Sequence, residues 1–157
     1  MPEGNLELGS ALIVATAAPD GEPRAARASS WSVVDPAARR VRLAVSADDP
    51  VMVATLHQHA ERDVHLAVTG ADVATLRSLQ LKGRVVAVDD PDPADLDLSL
   101  RHQDLFVAKI EATDGHPRDV VWRFLPASLI MVEMLVEEAY DQTPGPEAGA
   151  ALRAASR

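Results

Sequence analysis

The feature that most constrains this chain is a two-residue alternation of apolar side chains in several short stretches. From Arg40 to Ser46, Val41, Leu43 and Val45 fall on one side and Arg40, Arg42 and Ala44 on the other. From Asp63 to Thr69, Val64, Leu66 and Val68 alternate in the same way. Successive side chains of a strand point to opposite faces, so both stretches read as half-buried antiparallel strands. Further β segments are expected at Ala11 to Ala17, Pro23 towards Val34, Leu76 to Val88, Val120 to Leu125 and Leu129 to Val136. Asp20-Gly21 between the first two marks a hairpin, because these residue types tolerate the backbone of a tight turn. Two helices interrupt the strands. Asp49-Pro50 reads as a cap and first turn leading into Val51 to His59, and the acidic Asp89 to Pro93 segment caps a helix from Ala94 to about Ile110.

Strands joined by short turns, with two helices inserted, predict a mainly β protein: a closed or nearly closed antiparallel barrel rather than a parallel α/β sheet, with a β-sandwich left open by the residue pattern alone. At 157 residues, with 47% apolar and 25% charged side chains, one core suffices. That core is expected in residues 1–140. Residues 141–157 turn to Pro, Gly and Ala and are expected to form a flexible C-terminal tail. The chain has no cysteine, which removes disulfides, thiolate metal sites and a cysteine nucleophile. No apolar run approaches the 18 or more residues of a membrane span, and the acidic start does not resemble a signal peptide, so a cytoplasmic protein is expected. A net charge of -9 argues against a nucleic-acid partner, since phosphate neutralisation needs a basic face. His57 and His59 lie two apart on a helix, off the three- or four-residue spacing of helical metal ligands, so no metal site is expected. His102 and His116 read as surface positions, and Trp122 and Phe124 as packing residues of one strand face.

Chemistry-bearing residues concentrate on one strand. Along Leu76 to Val88, Ser78, Gln80, Lys82 and Arg84 share a face, about 6.5 to 7 Å apart, with Leu79, Leu81 and Val85 opposite. Gly83 admits close approach of a ring or another backbone. Arg24 and Arg27 follow the Asp-Gly turn, and a guanidinium fork suits a phosphate monoester. Three residues apart on a strand, these two arginines face opposite ways, so at most one meets a given ligand.

In order and content, D-G-E-P-R-A-A-R, V-R-L-A-V-S, V-H-L-A-V-T and above all R-S-L-Q-L-K-G-R resemble the pyridoxamine 5'-phosphate oxidase-like, FMN-binding split-barrel family, from Ala11 to about Met134. The resemblance implies a six-stranded antiparallel split barrel with two or more flanking helices. It also implies a homodimer with two FMN sites between subunits. On the matching positions, Arg27 stands beside the phosphate, Ser46 supplies a hydroxyl, and Gln80 and Lys82 reach the cofactor from the partner subunit; Arg24 is a further cofactor-binding candidate. Met52 stands where many relatives carry a phosphate-binding lysine, and Asp48 and Asp49 beside it would repel a dianion. The implied activity is a flavin-dependent oxidoreductase acting on a small organic acceptor, with no catalytic residue identified. The alternatives are a deazaflavin-dependent reductase and a non-catalytic binding or storage module for flavin, haem or a pyridoxal phosphate compound.

Overall fold

A computed structural model describes residues 8–152. Its strands are β1 (Ala11–Ala17), β2 (Pro23–Asp35), β3 (Arg40–Ser46), β4 (His65–Ala71), β5 (Ser78–Asp89), β6 (Leu129–Asp141) and β7 (Ala150–Ala151). The helices are α1 (Pro50–His57), α2 (Pro93–Asp114) and α3 (Arg118–Trp122). The strands form one antiparallel sheet in the order β3-β2-β1-β4-β5-β6-β7, and β3 also pairs with β6. That last pairing runs from Arg40↔Leu135 to Ser46↔Leu129 and closes six strands into a barrel.

Alternation decides which side chains fill it. Leu12 and Val14, Val41, Leu43 and Val45, Leu66 and Val68, Leu79, Leu81 and Val85, and Val132 and Met134 all point inward and join one buried cluster. Each such side chain contributes about 1.5–3 kcal/mol by leaving water. Met52 and Leu56 of α1, neither measurably exposed, belong to the same cluster. The α1 helix starts where Asp49 Oδ1 accepts hydrogen bonds from the Val51 and Met52 amides. The β1–β2 hairpin is built on Asp20-Gly21 as expected: Gly21 has φ +86° and the Glu22 amide donates to Asp20 Oδ1 at 3.0 Å.

The α2 helix lies across the outside of the barrel. Asp92 and Asp95 form a reciprocal capping box at its start. Its buried side is Ser99, His102, Gln103, Phe106 and Val107, whereas Leu96, Leu100 and Leu105 are exposed. Polar contacts therefore dock much of this helix: Ser99 Oγ lies 3.0 Å from Ser30 Oγ, and Gln103 Nε2 donates to Ser29 Oγ at 2.6 Å. At its N-terminal end Asp95 receives two hydrogen bonds from Arg42, at 2.7 and 3.0 Å. These hold the Asp95 carboxyl below the usual carboxylate range and raise the Arg42 guanidinium above its ordinary value.

Three sequence expectations need correction. The segment Val120 to Leu125 is not a strand: Arg118–Trp122 is helical, with the Val120 and Val121 amides bonded to the Pro117 carbonyl, and Phe124 is exposed. Both sides of the first half of β6 are already taken by β3 and β5, so a closed barrel offers a further strand no edge there. The strand expected from Leu76 starts at Ser78, because Asp72 Oδ1 accepts from the Ala74 and Thr75 amides and Leu76 has a left-handed φ of +61°. His102, expected at the surface, is buried. The stretch after Asp141 turns back: Gly149 N donates to Asp141 O, Leu152 N donates to Ala139 O, and Leu152 packs against the core. Residues 153–157 lie outside the described residues. No helix among the described residues is long and apolar enough to cross a membrane.

Gly70 of β4 is where packing leaves no room for a side chain, since an added Cβ would lie 2.2 Å from Trp31 Cη2. Gly70→Ala should lower stability by about 1–3 kcal/mol, the cost of overpacking a filled core. Urea unfolding measures this, and an unchanged midpoint would show that the Trp31 ring moves aside freely.

Candidate functional site

Burial along β5 alternates as the sequence implies, with Leu79 and Leu81 inward and Ser78, Gln80, Lys82 and Arg84 on the outer face. Strand register extends that face across five strands. Gln80 pairs with Thr69 of β4 and Tyr140 of β6; Thr69 pairs with Ile13 of β1, and Ile13 with Arg27 of β2. Directly opposed residues of an antiparallel sheet share a face, so Arg27, Ile13, Thr69, Gln80 and Tyr140 form one outward row. The next row is Ala25, Ala15, Ala67, Lys82 and Glu138. Between the Arg27 end and the Gln80–Lys82 end lies a low floor of alanines and Ile13, whose side chain is 45% exposed.

The two ends differ in chemistry. Arg27 is exposed, and its guanidinium carbon sits 5.9 Å from the Phe106 ring centroid. It borders a slot of about 250 Å³, counting the part open to solvent, whose other walls include Ser29, Gln103, Leu125 and Pro126. At the far end Gln80 Nε2 donates to Thr69 Oγ1 at 3.2 Å, and Lys82 Nζ lies 5.0 Å from the Tyr140 ring centroid. Neither Arg27 nor Lys82 has a carboxylate partner among the described residues, so both charges are open to an anionic or electron-rich ligand. Arg84, on the same face as Lys82, is committed to Glu137 at 2.7 Å and Asp63 at 3.4 Å. Ser78 lies at the strand's start, beside a second cavity of about 400 Å³, open space included, shared with Asp72, Arg77 and Thr143.

The remaining candidates are gathered elsewhere. Arg24 turns to the opposite side of β2, where it pairs with Glu22 at 3.2 Å and approaches the α1 cap, Asp49, at 4.0 Å. Ser46 is buried and donates to Asp48 Oδ2 at 2.9 Å. Arg24 and Ser46 thus both lie at the start of α1 and both face carboxylates, while Arg27, Gln80 and Lys82 share the outer sheet. Met52, read from the sequence as standing at a phosphate-contact position, is instead inside the barrel core. No group of three or more metal-ligating side chains occurs among the described residues.

Sequence reasoning missed Thr69 and Tyr140. Only the register of β4 and β6 against β5 reveals them, and β6 runs five residues past its expected end at Val136. The Tyr140 hydroxyl donates to the Glu138 carboxylate, which raises its pKa above the ordinary 10.0.

No protein-family model matches the sequence, and no curated protein matches it. Solved structures do. HupZ of Group A Streptococcus is 12% identical over 95% of this chain and 99% of its own, with a TM-score of 0.53. A candidate pyridoxamine 5'-phosphate oxidase from Lactobacillus delbrueckii is 15% identical over 89% of this chain and 93% of its own, with a TM-score of 0.51. The chain has the split-barrel fold of these proteins, as the sequence motifs imply.

Tyr140 is the sole tyrosine, so its titration can be followed directly by ultraviolet absorbance. The midpoint should lie above 10.0 in the wild type and fall back towards it in Glu138→Gln. A midpoint at the ordinary value in both proteins would break the Tyr140–Glu138 contact.

Proposed function

We propose that two copies of this chain pack through the outer face of β1, β2 and β4 and bind FMN in the two clefts so formed, as a flavin-dependent oxidoreductase acting on a small organic acceptor. The supporting observation is the row itself. Arg27 and Gln80 sit three strand spacings apart, about 14 Å, on either side of the β1–β4 boundary. A two-fold axis parallel to the strands, lying above the outer face over that boundary, sets the Arg27 end of one copy against the Gln80–Lys82 end of the other, twice. An exposed alanine floor with Ile13 is the kind of surface that gains by being covered.

The residues suit such a guest. Arg27 offers an unpaired guanidinium to the phosphate, and its slot is walled by the Ser29 hydroxyl and the Gln103 amide. Gln80 and Thr69 offer neutral polar groups to a heterocycle edge, and Lys82 places positive charge where a reduced ring carries negative charge. Bound FMN supplies the electron or hydride transfer. The chain supplies placement, charge and exclusion of water. The Lactobacillus delbrueckii relative and the R-S-L-Q-L-K-G-R strand point the same way. A second reading, a non-catalytic flavin holder, is favoured by the enclosure of Ser46 and Met52, which leaves only Arg27 and the walls of its slot, of the positions described above, to meet the phosphate.

Purified protein should gain flavin absorbance bands on addition of FMN, and Arg27→Ala should weaken binding by about 1.5–3 kcal/mol, the loss of a hydrogen bond to a charged group. Lys82→Met should lower the reduction potential of bound flavin. Ile13→Glu should convert dimer to monomer in light scattering and abolish FMN binding with it, because it buries a charge in the contact. Protein that ignores FMN overturns the assignment. Flavin that binds tightly but is never reoxidised by any acceptor selects the second reading.

A further inference from the structure

We infer that His102 is a proton-operated latch that holds the chain's entry into β1 against α2, and with it the inner wall of the slot beside Arg27. This does not depend on what occupies the slot. His102 is 2% exposed at the middle of α2. The Gly9 amide donates to its Nδ1 at 3.3 Å, and its Nε2 lies 3.0 Å from the Ser10 carbonyl oxygen. A ring that accepts at Nδ1 and donates at Nε2 is the neutral Nε2–H form. A second proton on Nδ1 would point at the Gly9 N–H, donor against donor, and break the upper half of the latch.

The segment has no slack with which to avoid this. Gly9 has a left-handed φ of +78° and lies so close to α2 that an added Cβ would be 2.8 Å from Leu105 Cβ. The slot is walled by Ser10, Ala11 and Leu12 on the entry side, His102, Gln103 and Phe106 on α2, and Arg27 on β2. Displacing residues 9 and 10 therefore changes its shape directly.

The charged surroundings favour the neutral ring. On α2, Lys109 donates to the Leu8 carbonyl and pairs with Asp72 beyond β4, and its charge opposes a second cation nearby. Arg27 faces the slot from β2, while Ala11, Leu12, Leu125 and Pro126 carry no charge. Asp72, the carboxylate that meets Lys109, is already held by it. Burial foremost, then Lys109, moves the imidazole below its ordinary 6.5, against the Ser10 hydrogen bond that raises it. The unfolded or released state then binds the proton better, so the latch is complete above about pH 6.5 and weakens as pH falls below it.

The test is hydrogen exchange of the Gly9 and Ser10 amides by NMR from about pH 7.5 to about pH 4.5, expressed as protection relative to the intrinsic rate, together with the ring nitrogen shifts of His102. Protection of Gly9 should fall roughly tenfold or more as His102 takes up its second proton, while β3 and β6 amides stay protected. His102→Gln keeps an acceptor and a donor at similar places but cannot titrate, so its Gly9 protection should stay level over the same range. Gly9 protection that stays level in the wild type while the ring becomes doubly protonated overturns the inference. So does an equal loss in His102→Gln, which would assign the transition to another group. Should that variant not fold, the wild-type ring shifts read against Gly9 protection decide alone.

Discussion

Closure of the sheet by the β3–β6 pairing is the constraint on which the rest depends. Seven consecutive register pairs, Arg40↔Leu135 to Ser46↔Leu129, leave neither the first half of β6 nor β3 with a free edge. Every inward side chain of the six strands is then committed to one small core, and every chemically useful group is forced outward. The outer face is divided in turn. Over β3 and the adjoining part of β2 it is covered by α2, through Arg42–Asp95 and Ser30–Ser99. Over β1, β4 and the start of β5 it is bare, and there the alanine floor lies between Arg27 and Lys82.

The covering helix is held in an unusual way. A helix lying on a sheet normally buries an apolar stripe, but α2 turns Ser99, His102 and Gln103 inward and leaves Leu96, Leu100 and Leu105 in water. Its attachment rests on satisfied hydrogen bonds, on Phe106 and Val107, and on ion pairs at both ends: Arg42–Asp95 at one, Lys109–Asp72 at the other. Lys109 is the leading cause of a strong lowering of the Asp72 carboxyl pKa. Such a seam fixes register more narrowly than oil-like packing does, because a shift of one residue would strand several buried polar atoms at once.

Much of the barrel was legible in the sequence because period-two alternation is a local property. Val41, Leu43 and Val45 need no partner to declare their face, nor do Val64, Leu66 and Val68. The Asp20-Gly21 turn and the Asp49-Pro50 and Asp92 helix starts were equally local. What was not legible depends on partners far along the chain. Val120 to Leu125 has strand-like residues, and only the occupied edges of β6 exclude it from the sheet. Leu96 and Leu100 sit at helical spacing, yet whether that stripe or the Ser99–Gln103 side faces inward depends on hydroxyls 69 and 74 residues away. For the candidate site, the outward set Gln80 and Lys82 and the opposite facing of Arg24 and Arg27 followed from the pleat alone, whereas Tyr140 and Thr69 required the register.

The C-terminal turn-back has a consequence for how the molecule behaves in a crowd. Beyond Val136, whose amide still donates to the Arg39 carbonyl, β6 outruns β3, and the side of β6 that β3 covers earlier needs other partners for its amide and carbonyl groups. Gly149 and Leu152 occupy part of that rim by donating to Asp141 and Ala139, and β7 pairs along Tyr140 and Asp141. These few residues act as a selvedge: they finish part of a margin of the cloth that a neighbouring strand could otherwise unpick or stitch itself to, and so help keep an open-ended ribbon from recruiting others into aggregates.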